Sequence, residues 1–131
     1  MSVILPTAVG GTATGWQLVD YATPQSSALV DANGRAVITF DQLDPNQLWL
    51  IDHAVINCPA GDLLPPQLRL YAGSETPSRL LDGSSTGDFD VADWPNGLQL
   101  SPSTSLLVVW SGAVPGATAT IALQVRVLRR L

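Results

Sequence analysis

The sequence predicts an all-β protein: an antiparallel two-sheet sandwich, jelly-roll-like, with a short flexible N-terminal arm. Three observations carry that expectation. No run of ten residues repeats apolar side chains at helical spacing behind a credible cap. Ten prolines and eleven glycines punctuate a chain of 131 residues. Between them lie short segments rich in Val, Ile, Leu, Thr and Trp, which suit a pleated, half-buried surface. An immunoglobulin-like sandwich is the alternative, but its Cys…Trp…Cys signature is missing, because Cys58 is the sole cysteine.

Residues 1–15 (MSVILPTAVGGTATG) are the arm, whose Val3, Ile4 and Leu5 could grip a neighbour. Residues 16–131 are the sandwich domain, with seven or eight strands. GWQLVDYA (15–22) supplies the first strand. SSALVDANGRAVITF (26–40) reads as a hairpin turned at Asn33-Gly34, a pair whose backbone handedness suits tight hairpins. QLWLIDHAVINC (47–58) is a long strand ended by CPAGDLLPP, and QLRLYAG (67–73) is the next. LLDGSSTGDFDVADWPNG (80–97) reads as an acidic loop, and GLQL (97–100) as a short strand leaving it. SLLVVWSG (105–112) and ATATIALQVRVL (117–128) read as a second hairpin about a Pro115-Gly116 turn, where glycine tolerates positive φ. In that last strand a period of two puts Ala119, Ile121, Leu123, Val125 and Val127 in the core. Thr118, Thr120, Ala122, Gln124 and Arg126 face water.

Composition narrows the function classes. Charged residues are 13% of the chain, against about 25% in ordinary soluble domains. Lysine is absent, Glu75 is the lone glutamate, and the net charge is −5. Such a balance offers no phosphate-binding field, which argues against nucleic acid. No apolar run approaches the ~20 residues that span a bilayer. The opening residues carry no base before their apolar run, which argues against a secretory signal.

Two segments are apolar on both faces. In LLVVW, Leu107 and Val109 oppose Leu106, Val108 and Trp110; in LWLIDHAVI, Trp49, Ile51 and Val55 oppose Leu48, Leu50 and Ile56. A sandwich buries one face of each strand, and each large apolar side chain left in water forgoes roughly 1.5–3 kcal/mol. A neighbouring copy is the expected cover, in a closed ring with a trimer favoured. The expected interface is Trp49, Ile51, Leu106, Val108 and Trp110, with Leu107 and Val109 as the opposite choice and Val3, Ile4 and Leu5 as a second contact. Loops of the same chain are the alternative cover.

Little in the sequence points to chemistry. Asp82, Asp88, Asp90 and Asp93 lack the ordered spacing and distal glutamate of a calcium loop, and aspartate commonly caps turns, so no metal and no cofactor is expected. His53 is the only histidine, and alternation points its neighbour Asp52 to the opposite face. Cys58 is five positions on, so it also faces away. No nucleophile elbow, metalloprotease helix or phosphate loop appears, and no catalytic residue is expected. Trp16, Tyr21 and Trp94, in or near loops, are candidates for a sugar platform, for instance on a host cell-wall glycan.

From Leu70 to Leu128 the chain resembles small virion structural proteins of tailed bacteriophages, especially those infecting actinobacteria. The stretches LYAG, LLDGSSTGDFDVAD and LQLSPSTSLLVVWSGAVPGATATIALQVRVL carry the resemblance, supported by GRAVITF and LWLIDHAVINCP. It implies a non-enzymatic minor tail, tail-tip or capsid-decorating component, assembled in the host cytoplasm and docked on other virion proteins.

Overall fold

The structure, a computed structural model, describes residues 15–61 and 64–131. Among these, nine strands form: β1 (Trp16–Ala22), β2 (Gln25–Leu29), β3 (Ala36–Phe40), β4 (Gln47–Asn57), β5 (Gln67–Ala72), β6 (Leu80–Ser84), β7 (Phe89–Leu100), β8 (Leu106–Ser111) and β9 (Thr118–Arg130). One 3-10 turn, Pro77–Arg79, interrupts them, and no helix among the described residues is long and apolar enough to cross a membrane. The first sheet runs β1-β9-β4-β7, with β2 continuing the β1 edge along β9; the second runs β3-β8-β5-β6. All pairings are antiparallel. The chain changes sheet at nearly every connection, which is the winding of a jelly roll.

The core lies between the sheets, and β9 obeys the predicted alternation. Ala119, Ile121, Leu123, Val125 and Val127 are all buried, while Thr118, Thr120, Ala122 and Gln124 are exposed. From the second sheet Leu106, Val108 and Trp110 meet them, each fully enclosed. Trp110 satisfies its indole N–H on the Gly87 carbonyl at 3.0 Å, so a large ring is buried without an orphaned donor.

Neither predicted hairpin forms. β8 pairs with β3 and β5 in one sheet, whereas β9 lies in the other. β2 and β3 are divided in the same way. Both turns are nevertheless present. Gly116 has φ +85°, and the Ala117 N–H bonds to the Val114 carbonyl at 3.1 Å. Gly34 has φ +78°, and its N–H bonds to the Asp31 carbonyl. Each turn is a corner between sheets, and the two corners clasp. Val30 exchanges hydrogen bonds with Ala117 and Gly116 at 2.9 Å, and the Ala113 N–H reaches the Gly34 carbonyl at 2.9 Å. A Cβ on Gly34 would lie 2.8 Å from the Ala113 carbonyl oxygen, so the clasp needs glycine there.

The segment read as an acidic loop is mostly strand. β6 carries Asp82, and β7 carries Asp90 and Asp93 and absorbs the GLQL strand. Aspartate is tolerated because β6 and β7 are sheet edges, each with a single neighbour among the described residues. Asp82 and Asp90 also accept the backbone N–H of the next residue, Gly83 and Val91, at 2.8 Å.

The arm residues Val3, Ile4 and Leu5 lie outside the described residues. Gly15 is within them, and its carbonyl accepts the Leu131 N–H at 2.9 Å.

Candidate functional site

The outward face of the first sheet concentrates what is unusual here. β4 pairs in regular register with β9 up to Ile51 and again from His53, leaving Asp52 as a bulge. The bulge cancels the alternation that would have separated Asp52 from His53. Asp52 takes both oxygens to Arg126, at 2.8 Å each. His53 stands directly opposite Asp93 on β7 and meets it at 2.6 Å through Nδ1. Because the carboxylate accepts, Nδ1 carries the proton, and Nε2 is the nitrogen left for an outside partner. The sequence missed this pair because Asp93 was placed in a loop rather than on the strand next to β4. No serine, threonine or cysteine among the described residues hydrogen-bonds to His53, so the pair has an orienting carboxylate and no attached nucleophile.

This polar belt divides the face into two ends. At one end Leu48, Leu50 and Leu128 form a buried outer cluster with Trp16 packed on it. Arg130 stacks on the Trp16 ring, 4.7 Å from its centroid. Gly97, at φ +81°, completes the cover; a Cβ there would sit 2.8 Å from the Leu50 Cβ. At the other end the face is open. Two adjoining depressions, of about 390 and 230 Å³, share Gln25, Val55 and Ala122. Asn57 and Thr120 line the larger, while Thr23, His53 and Gln124 line the smaller.

A third cleft, of about 60 Å³, opens between the free edges of β6 and β7 and reaches core residues such as Ile56, Leu70 and Ile121. Two side-chain links span its mouth. Trp94 donates its indole N–H to Asp82 at 2.9 Å, and Ser84 donates to Asp90 at 2.5 Å. The bond from Ser84, then those from the Val91 N–H and Thr86, hold the Asp90 carboxyl below its ordinary value of 3.8. The acidic stretch therefore fastens one sheet to the other. Among the described residues no three Asp, Glu, His or Cys groups gather as a metal set.

The expected interface residues lie elsewhere than expected. Ile51, Leu106, Val108 and Trp110 are enclosed in the chain's own core, so no neighbour can touch them. Trp49 is half-buried against that core, its indole N–H shut in without a partner among the described residues. On the far side of β8, Val109 is buried and Leu107 half-buried. On β4 the surplus of Leu48 and Leu50 is the sealed cluster. Loops and neighbouring strands of the same chain supply the cover assigned to another copy. Of the expected sugar platform, Trp16 is committed to the outer cluster and Trp94 to Asp82. Tyr21 alone stands free, 71% exposed, on β1 opposite Arg126.

No family model matches the chain, and no curated protein matches it significantly. Among solved structures it is similar to the Aeromonas hydrophila PliG, a periplasmic inhibitor of g-type lysozyme. The TM-score is 0.34 at 11% identity, over 82% of this chain and 85% of that one. It is also similar to a chain of the Nora virus structure, with a TM-score of 0.44 at 13% identity, over 91% of this chain and 61% of the viral one. Likenesses at these scores say nothing about what this chain binds or builds.

Proposed function

We propose that the chain is a non-enzymatic structural component of a bacteriophage virion, a minor tail, tail-tip or capsid-decorating protein that pairs with copies of itself and docks on other virion proteins. The observation that carries this reading is the β1 edge of the first sheet. Among the described residues β1 has a single neighbour, β9, and exposes Leu18 and Val19 at 37% and 49%. Natural edges are commonly guarded by lysine or proline. This one carries neither; it has only Asp20 and a bulge between Leu18 and Asp20. The phage-like segments from Leu70 to Leu128 and a surface poor in charge support the same reading. If the β1 edge of each copy met the β7 edge of the next, the other end of the same sheet, the copies would close a ring, and three is the number to test.

Sedimentation velocity over a range of concentrations tests the proposal. A concentration-dependent trimer is expected, and Val19→Lys should return it to a single subunit that keeps the far-UV circular dichroism of the folded β-sheet. A wild-type chain that stays a single subunit throughout would sink the self-assembly reading.

A further inference from the structure

We infer that the open end of the first sheet's outer face is a binding trough for a neutral oligosaccharide. The two depressions over β2, β9 and β4 are continuous, since they share Gln25, Val55 and Ala122. Val55 and Ala122 make a low apolar floor. Around it stand Thr23, Gln25, Ser27, Asn57, Thr120 and Gln124, all exposed. Each hydroxyl or carboxamide both donates and accepts, which is what a sugar hydroxyl requires when it leaves water. Apart from His53, no residue lining either depression is ionisable, in a protein of net charge −5. A neutral polyhydroxylated ligand fits that lining better than an ionic one.

Aromatic rings mark both ends. Tyr21 faces outward opposite Arg126, one outward step beyond Gln124, and Phe89 stands opposite Asn57, 57% exposed. Their faces can pack on the C–H face of a sugar ring. The run from Gln124 to Thr120 along β9 spans about 13 Å at ~3.3 Å per residue, room for a di- or trisaccharide. His53, oriented by Asp93, presents Nε2 as one further acceptor beside Gln124. The inference does not depend on the virion reading, because the shared floor of the trough, Val55 and Ala122, lies on β4 and β9, and of β1 only Tyr21 borders it.

Amide-shift titrations of the intact chain with cellotriose, maltotriose and triacetylchitotriose test it. At least one should give saturable shifts centred on Gln25, Asn57 and Gln124 at millimolar concentration. Ala122→Arg, which fills the floor from an exposed position, should abolish them, and Tyr21→Ala should weaken binding several-fold. No saturable shift with any of the three, shifts that survive Ala122→Arg, or binding of a neutral extended peptide in their place would each overturn it. Sedimentation of the same samples reads self-association separately, so failure of one proposal is not mistaken for failure of the other.

Discussion

The two ends of the first sheet's outer face both lie on β4 and β9, yet one is sealed and the other open. At the sealed end Leu48, Leu50 and Leu128 are as buried as core residues, under Trp16 and the Gly97 backbone. At the open end the equivalent positions are Val55, Ala122 and Thr120, with Phe89 and Val91 standing exposed beside them. Between them run the Arg126–Asp52 and His53–Asp93 pairs. The difference teaches that apolar surplus on an outward strand face is not evidence of a partner. On β4 and β9 the chain covers the three leucines itself and leaves Val55, Ala122 and Thr120 as a surface.

Breaking the sealed end should cost most. Leu128→Ala removes a buried side chain from a cluster that cannot collapse onto the polar belt, at about 2–5 kcal/mol by urea denaturation. Gly97→Ala comes next, at about 1–3 kcal/mol, because a Cβ meets Leu50 while the backbone is held at positive φ. A smaller effect concerns β7, which walls the open end. The folded Asp90 carboxyl titrates below its unfolded value, so its stabilisation is complete above that value and is lost as pH falls through the folded one. Thermal melts from pH 5 down to pH 2 should therefore fall less steeply in Asp90→Asn than in wild type. Smallest of all, Ala122→Ser at the open end should stay within about 0.5 kcal/mol. A cost like that of Leu128→Ala would mean the two ends are not different in kind.

The second sheet shows the same self-covering in another form. Tyr71 and Val109 are buried on its outward side. Arg35, just before β3, and Glu75, in the loop after β5, join there in a two-point ion pair. That pair holds the Glu75 carboxyl below its ordinary value. A loop tied down in this way was the weaker of the two covers expected from the sequence.

Periodicity was enough to assign the fold class and the inward set of β9, because alternation needs nothing beyond the chain's own pleat. β4 and β5 were legible for the same reason, within a residue or two. Strand partners were not. Gly34 and Gly116 announce that the chain turns, but a turn is a local property, and which sheet receives the next strand depends on long-range packing. The candidate site was legible only in fragments: Tyr21 as an exposed aromatic, Thr120, Ala122 and Gln124 as outward positions. The His53–Asp93 pair and the trough depend on cross-strand register and on a bulge at Asp52. Those arise when three strands are laid side by side, so no single segment encodes them. Alternation likewise separates Leu106, Val108 and Trp110 from Leu107 and Val109, but choosing the core between the two sets takes the opposite sheet, against which the first set is packed.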